Sequence, residues 1–263
     1  MTQHQIKEVV LCADDYALNA PVSQGIVALA VLGRLSATSV MSLSPRWAED
    51  VVALRDVRER LDVGVHLDWT SSFAVDLADG RGLTATKLRA ALRLCDQQNI
   101  EDQIERQLDA FEAQWQAPPD HIDSHQHVHQ LPVFRQALMH VLVRRYGTIA
   151  HRPWLRVSSG IAPLEKMARS YAWPSVGPVL GTYGFNASMD DFARHMQGWL
   201  ASTPADKPAL IMCNPAVSAQ ADDPLGNTRK REFAYLAGHD FVQHLVDASV
   251  RVVRGSGKPM LPV

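Results

Sequence analysis

The sequence predicts an α/β fold in a single domain, a distorted TIM-like (β/α) barrel. Short apolar stretches alternate along the chain with longer amphipathic stretches, and such repeated strand-then-helix units favour a parallel sheet with right-handed crossovers. Seven or eight such units in 263 residues suit a closed or distorted barrel. A doubly wound open sheet is the second possibility.

Each expected strand is a short apolar run that polar or turn-forming residues end. The run EVVLCA at 8–13 ends at Asp14 and Asp15. The run ALIMC at 209–213 ends at Asn214. The full set of expected strands is 8–13, 37–43, 62–67, 121–125, a segment within 148–157, 181–185, 209–213 and 250–254.

The expected helices are longer stretches in which apolar residues recur with helical spacing. The helix at 100–116, for example, is followed by Pro118 and Pro119, which cannot continue a helix. We expect a loop at 70–86, where the turn signal DGRG occurs, and irregular structure at 158–180. The full set of expected helices is 21–32, 48–60, 100–116, 132–146, 189–200 and 240–249.

Composition excludes several classes of protein. Apolar residues make up 46% and charged residues 21%, which is enough to build a core and argues against disorder. The net charge of −2 gives no electrostatic reason to expect a nucleic acid or an anionic membrane as a partner. Three scattered cysteines argue against a disulfide framework, and no segment reads as a membrane span or a signal sequence. We therefore expect a cytoplasmic protein, and a homodimer on base rates alone.

The notable polar residues all fall at the ends of expected strands. Asp14 and Asp15 end the first, His66 the third, and Asp123 and His125 the fourth. In the same interpretation, Arg152 ends the fifth strand and Asn214 the seventh. Because active sites of α/β barrels lie at the carboxyl ends of the strands, we expect these side chains to converge.

One carboxylate with two imidazoles is a common ligand set for a divalent metal ion that keeps open water positions. Asp15, His66 and His125 could supply that set. Asp14, as the neighbour that binds no metal, would be placed as a general base. Two adjacent residues can both face the site only if the backbone turns at the end of the strand.

Each of these residues also has a structural interpretation. An Asp pair after a strand is often a helix cap, and an isolated histidine is more often a hydrogen-bonded structural residue. The cluster HQHVH at 125–129 is harder to explain in that way, because its imidazoles share a face in a strand and His125 and His129 share one in a helix. We expect a metal or catalytic role for at least one of them.

Four segments together resemble the YdjC-like carbohydrate deacetylases. They are CADDYALN (12–19), GVHLDWT (64–70), HIDSHQHVHQLP (121–132) and, more loosely, LIMCNPA (210–216), in the order of that family. The resemblance runs from about residue 8 to about residue 254. It implies one deacetylase domain over 1–263, a distorted barrel, and one bound divalent metal ion, Mg²⁺ or Zn²⁺.

The resemblance also implies roles for individual residues. Asp14 matches the catalytic base, and Asp15, His66 and His125 match the metal ligands. Histidines 127 and 129 would line the pocket or lie behind the ligands, and we place Arg152 and Asn214 in the pocket as well. The implied activity is hydrolysis of an N-acetyl group from an amino sugar or small oligosaccharide, with release of acetate.

The chain departs from the family where Asn214 stands in place of an expected histidine. A side-chain amide forms hydrogen bonds but cannot act as a titrating acid. His127, His129 or protonated Asp14 could substitute for it. Two other functions therefore stay open at this point: a different metal-dependent hydrolase, such as an amidohydrolase or phosphoesterase, and a catalytically impaired relative that binds sugars.

Overall fold

Parallel strands form the centre of the molecule and helices surround them. We describe the protein from a computed structural model, which covers residues 5–74, 82–158 and 162–261. Within these ranges eight strands follow the order β6-β5-β4-β3-β2-β1-β8-β7, a ninth strand pairs with β1, and every pairing is parallel. This nearly closed α/β barrel confirms the predicted fold class.

The strands are β1 (Lys7–Tyr16), β2 (Ala37–Val40), β3 (Asp62–Leu67), β4 (His121–Ser124), β5 (Trp154–Arg156), β6 (Ser175–Val176), β7 (Val179–Leu180), β8 (Ala209–Cys213) and β9 (Val250–Val252). The helices are α1 (Ala20–Val31), α2 (Trp47–Arg55), α3 (Leu83–Ala91), α4 (Gln97–Trp115), α5 (Phe134–Tyr146), α6 (Ala162–Ser170), α7 (Met189–Ser202), α8 (Gly226–Ala237) and α9 (His239–Asp247). Two 3-10 helices, Ser72–Ala74 and His125–Gln130, follow β3 and β4.

The strands have two buried faces, which is why they appear in the sequence as continuous apolar runs. Their outer face packs against the helices in the main core. Their inner face forms a second, smaller cluster that includes Val10, Cys12, Trp154, Leu210 and Met212. Nearer the carboxyl ends of the strands, the inner positions carry polar side chains instead. These polar side chains form the site described below.

The structure corrects three sequence predictions. No strand forms at 181–185; two short strands, β6 and β7, come before it, and Gly181 leaves β7 with a φ of 99°. The predicted irregular stretch 158–180 contains helix α6 as well as these strands. The predicted loop 70–86 includes the 3-10 helix Ser72–Ala74 and the start of α3, while residues 75–81 lie outside the described ranges.

Candidate active site

A bulge at the end of β1 turns two consecutive aspartates into the same region. The pairing of β1 with β2 shifts register between Ala13 and Tyr16, and Asp15 has a φ of 68°. A bulge of this kind redirects a side chain that would otherwise point to the opposite face of the sheet. Asp14 and Asp15 are both buried, with exposed fractions of 6% and 4%. β1 thus ends at Tyr16 and includes both aspartates.

Arg156 joins two of the buried carboxylates. Its Nη1 donates to Asp14 Oδ2 at 2.8 Å and its Nη2 to Asp14 Oδ1 at 2.5 Å, which is a bidentate pair. The same Nη2 lies 2.5 Å from Asp123 Oδ2. Burial raises the pKa of Asp123, but Arg156 and then His66 outweigh it and hold that pKa well below its usual value.

His66 lies between two of the aspartates. Its Nδ1 is 2.6 Å from Asp123 Oδ1, and its Nε2 is 3.5 Å from Asp15 Oδ1. A carboxylate that accepts from one ring nitrogen fixes the orientation of a metal-binding histidine and directs the other nitrogen to the metal. Burial lowers the pKa of His66, but Asp123, Asp14 and Asp15 raise it to about 9.

The second oxygen of Asp15 is held by a buried arginine from α8. Arg229 Nη2 donates to Asp15 Oδ2 at 2.7 Å, and Arg229 Nε lies 2.8 Å from Asp223 Oδ2. Burial raises the pKa of Asp15, but Arg229, His125 and His66 together bring it down to about 2. Asp15 is therefore ionised at neutral pH, with Oδ1 directed to His66.

The segment HQHVH forms neither a strand nor an α-helix. It is a 3-10 helix interrupted by left-handed residues, Gln126 at φ 55° and His127 at φ 57°. The three imidazoles consequently do not share one face. His125 lies with its ring centroid 6.0 Å from that of His66, and its Nδ1 is 2.8 Å from Thr70 Oγ1.

The other two histidines of the segment differ in environment. His129 is fully buried, with Nδ1 2.6 Å from Ser124 Oγ and Nε2 3.0 Å from the carbonyl oxygen of Arg156. Burial lowers its pKa to about 3, and both ring nitrogens are occupied by hydrogen bonds within the fold. His127 lies in the field of Arg156 and Asp14, and burial together with Arg156 lowers its pKa to about 4. Its Nδ1 is buried without a hydrogen-bond partner among the described residues.

Two groups of possible metal ligands have their donor atoms within 4.8 Å of one another in the described ranges. They are Cys12 with His121 and Asp123, and Asp14 with His66 and Asp123. The positive charge next to both groups is the guanidinium of Arg156. Its Nη2 lies 3.1 Å from Cys12 Sγ and contacts Asp14 and Asp123. The predicted trio of Asp15, His66 and His125 is not one of these two groups.

Asn214 follows β8 at the site. Cys213, the residue before Asn214, pairs with Ala13, the residue before Asp14. Asn214 is buried, with an exposed fraction of 7%.

Arg152, in contrast, lies elsewhere. It precedes β5, roughly 13 Å along the chain from Arg156 at about 3.3 Å per strand residue. Its guanidinium donates to the carbonyl oxygen of Gly147 and lies 5.3 Å from the centroid of Trp173. The structure therefore does not bring Arg152 to this group of residues, because β5 begins after it, and the arginine that reaches Asp14 is Arg156.

Sequence reasoning missed three residues that the structure brings to the site. Arg156 lay within the expected strand segment 148–157, where it shares the inner face with Trp154. Strand alternation counted back from the correct end at Arg156 could have found it. Arg229 and Glu232 lie on α8, a helix for which no sequence signal was identified.

Buried carboxylates, imidazoles and arginines at the carboxyl ends of parallel barrel strands are the arrangement of an enzyme active site. The model of the YdjC-like protein family matches residues 8–247. The chain therefore belongs to the YdjC-like family. It is 28% identical over 222 residues to a chitooligosaccharide deacetylase of Yersinia pestis (strain Pestoides F), which covers 80% of this chain and 82% of that protein.

Solved structures share the fold. A candidate cellobiose-phosphate cleavage protein from Enterococcus faecalis V583 superimposes with a TM-score of 0.75 at 18% identity, covering 95% of this chain and 97% of that one. A CE4 esterase from Streptococcus mutans superimposes with a TM-score of 0.55 at 11% identity, covering 95% of this chain and 86% of that one.

In the described ranges, no helix is both long enough and apolar enough to cross a membrane.

Proposed function

We propose that the protein is a metal-dependent carbohydrate deacetylase. Its reaction would be hydrolysis of an N-acetyl group from an amino sugar or small oligosaccharide, with release of acetate. The observation that carries the proposal is the bulge that turns both Asp14 and Asp15 toward His66. Membership of the YdjC-like family and the likeness to a chitooligosaccharide deacetylase support the choice of reaction.

The residues fit a divalent cation. Asp15 Oδ1 and His66 Nε2 face each other at 3.5 Å, and Asp123 holds the other nitrogen of His66 as a supporting carboxylate does in metal sites. Asp15, His66 and His125 would hold the cation, and Mg²⁺ and Zn²⁺ are both compatible with this donor set. When bound, the cation would polarise the acetyl carbonyl and make water acidic enough to attack at neutral pH.

Asp14 is the residue we assign as the general base. Arg156 contacts both of its oxygens and so fixes the direction of the carboxylate. Each carboxylate oxygen has two lone pairs, so a bidentate arginine still leaves acceptor positions for the proton of an attacking water. A positioned base of this type contributes roughly 10²–10⁴-fold to rate.

The test is acetate release from a panel of N-acetylated amino sugars and their short oligomers. Each substrate would be assayed with added Mg²⁺ or Zn²⁺ and with a chelator in excess. We expect release that the chelator abolishes and that added metal restores. Release from no member of the panel by protein shown to bind the metal would contradict the proposal.

The homodimer, the cytoplasmic location, the domain bounds of 1–263 and the lack of nucleic-acid and membrane partners stay predictions. Light scattering after size-exclusion chromatography measures the oligomeric state directly. A mass near the chain's 29.1 kDa would contradict the homodimer.

A further inference from the structure

A chain of hydrogen bonds runs from Tyr183 to the end of β8 through a buried glutamate. The hydroxyl of Tyr183 donates to Glu232 Oε1 at 2.5 Å. The backbone nitrogen of Asn214 donates to Glu232 Oε2, also at 2.5 Å. Glu232 is 1% exposed, whereas Tyr183 is only partly buried. The tyrosine is therefore the more exposed end of this series of hydrogen bonds.

The hydrogen bonds from Tyr183 through Glu232 to Asn214 lie near Asp14, the proposed base. Asn214 follows Cys213, which pairs with Ala13 in β1, and the charge of Asp14 acts on Glu232. Tyr183 follows β7, the other neighbour of β8, three residues after Leu180. Because parallel strands all end at one edge, Tyr183 and Asp14 lie toward the same end of the barrel.

The reaction needs a proton at this position. When the C–N bond of an amide breaks, the amine must be protonated to leave, and a general acid supplies that proton. Asn214 has no titrating group, and both nitrogens of His129 are committed to Ser124 and a backbone carbonyl.

We propose that Glu232 and Tyr183 form a proton relay to the leaving amine; this rests on the proposed deacetylation. Protonated Glu232 donates to the Tyr183 oxygen while the Tyr183 hydroxyl donates its own proton to the amine nitrogen. The C–N bond breaks and its electron pair takes that proton. Glu232 is left as a carboxylate, and the proton that Asp14 took from water returns to solvent, from which Glu232 is protonated again.

The surroundings of Glu232 suit this task. Its charged and titratable neighbours are Arg229 on the same helix, Asp14, Tyr183 and Cys213, and Arg231 lies near Tyr183. Burial outweighs the hydrogen bonds from Asn214 and Tyr183 and the charge of Arg229, and raises the pKa of Glu232 to about 7. At pH 6 to 7 Glu232 therefore holds a proton that it can give up.

The test compares two substrates in the metal-loaded protein. The leaving amine of an N-acetyl amino sugar needs a proton, whereas the p-nitrophenolate of p-nitrophenyl acetate leaves without one. We expect Glu232→Gln and Tyr183→Phe to lower kcat on the sugar by roughly 10²–10⁴-fold, with turnover of the ester changed less than threefold. The wild-type advantage over Glu232→Gln should be largest below pH 7 and shrink above it.

Two matched controls come from a similar pair far from the site. Tyr146 donates to Glu112 between α5 and α4, so Tyr146→Phe and Glu112→Gln make the same chemical changes there. Both should leave the two activities unchanged, and thermal melting would verify that all four variants are folded.

Three results would overturn the relay. One is equal loss of turnover on sugar and ester in folded variants, and another is full sugar turnover in both site variants. Either would leave deacetylation standing, because the wild type would still release acetate. Failure of the wild type to release acetate from any N-acetyl sugar would overturn the proposed function and the relay together.

Discussion

Replacement of Arg156 by methionine should destabilise the fold strongly. Arg156 has an exposed fraction of 0%, and its guanidinium contacts both oxygens of Asp14 and one oxygen of Asp123. Methionine is of similar length but leaves these two carboxylates buried without their cation. Removal of one partner from a buried ion pair costs about 3–5 kcal/mol.

The assay is urea unfolding at pH 7, followed by circular dichroism. The matched control is Arg169→Met, because Arg169 is 72% exposed and pairs with Glu165 one helical turn away. An exposed pair of that kind contributes about 0.3–0.5 kcal/mol. We therefore expect Arg156→Met to lower the free energy of unfolding by at least about 2.5 kcal/mol more than Arg169→Met does.

A double-mutant cycle with Asp14→Asn tests whether the loss arises from the pair itself. Residues in direct contact show coupling energies of about 0.5–3 kcal/mol, and the bidentate geometry favours the upper half of that range. Additive effects of the two substitutions would refute the reasoning. So would an Arg156→Met protein as stable as Arg169→Met.

Three more predictions concern other parts of the site and the fold. Asp123→Asn should lower zinc affinity by roughly 10–100-fold, because it weakens the bond that orients His66; calorimetric titration measures this, and unchanged affinity would argue against the ligand role of His66. Burial raises the pKa of Glu232 from 4.5 to about 7, so the stability that its protonated form contributes is present below pH 4.5 and lost as pH rises through 7. Urea unfolding at pH 5 and pH 8 should show that the free energy of unfolding depends less on pH in Glu232→Gln than in the wild type. An equal pH dependence in the two proteins would disprove the raised pKa of Glu232. Ser188→Ala removes the capping box of α7 and should cost about 0.5–2 kcal/mol; an unchanged melting temperature would contradict it.

The barrel could be predicted because its strands are buried on both faces. Runs such as ALIMC at 209–213 are continuous and apolar, and β8 occupies that range unchanged. The strand predicted at 181–185 was wrong because two-residue strands such as β7 are too short to give a periodic signal. Tyr183 and Phe185 instead belong to an aromatic cluster that includes residues of α7.

The site itself was only partly readable from the sequence. Asp14, Asp15 and His66 were predicted from their positions at the ends of apolar runs, and the structure brings these three side chains together. Arg156 was passed over for Arg152, since one-residue precision at the end of a strand is needed to decide which side chain faces inward. Glu232 carries no local motif, and only the tertiary fold brings α8 against the end of β8.

The most direct test of the account combines acetate release with metal content in Asp14→Asn. If Asp14 is the base and Asp15, His66 and His125 hold the metal ion, the variant should keep its bound metal and lose roughly 10²–10⁴-fold in acetate release from the wild type's best N-acetyl sugar. Asp109→Asn, on the exposed side of α4, is the matched control and should change neither quantity. Full acetate release by metal-loaded Asp14→Asn would contradict the central claim.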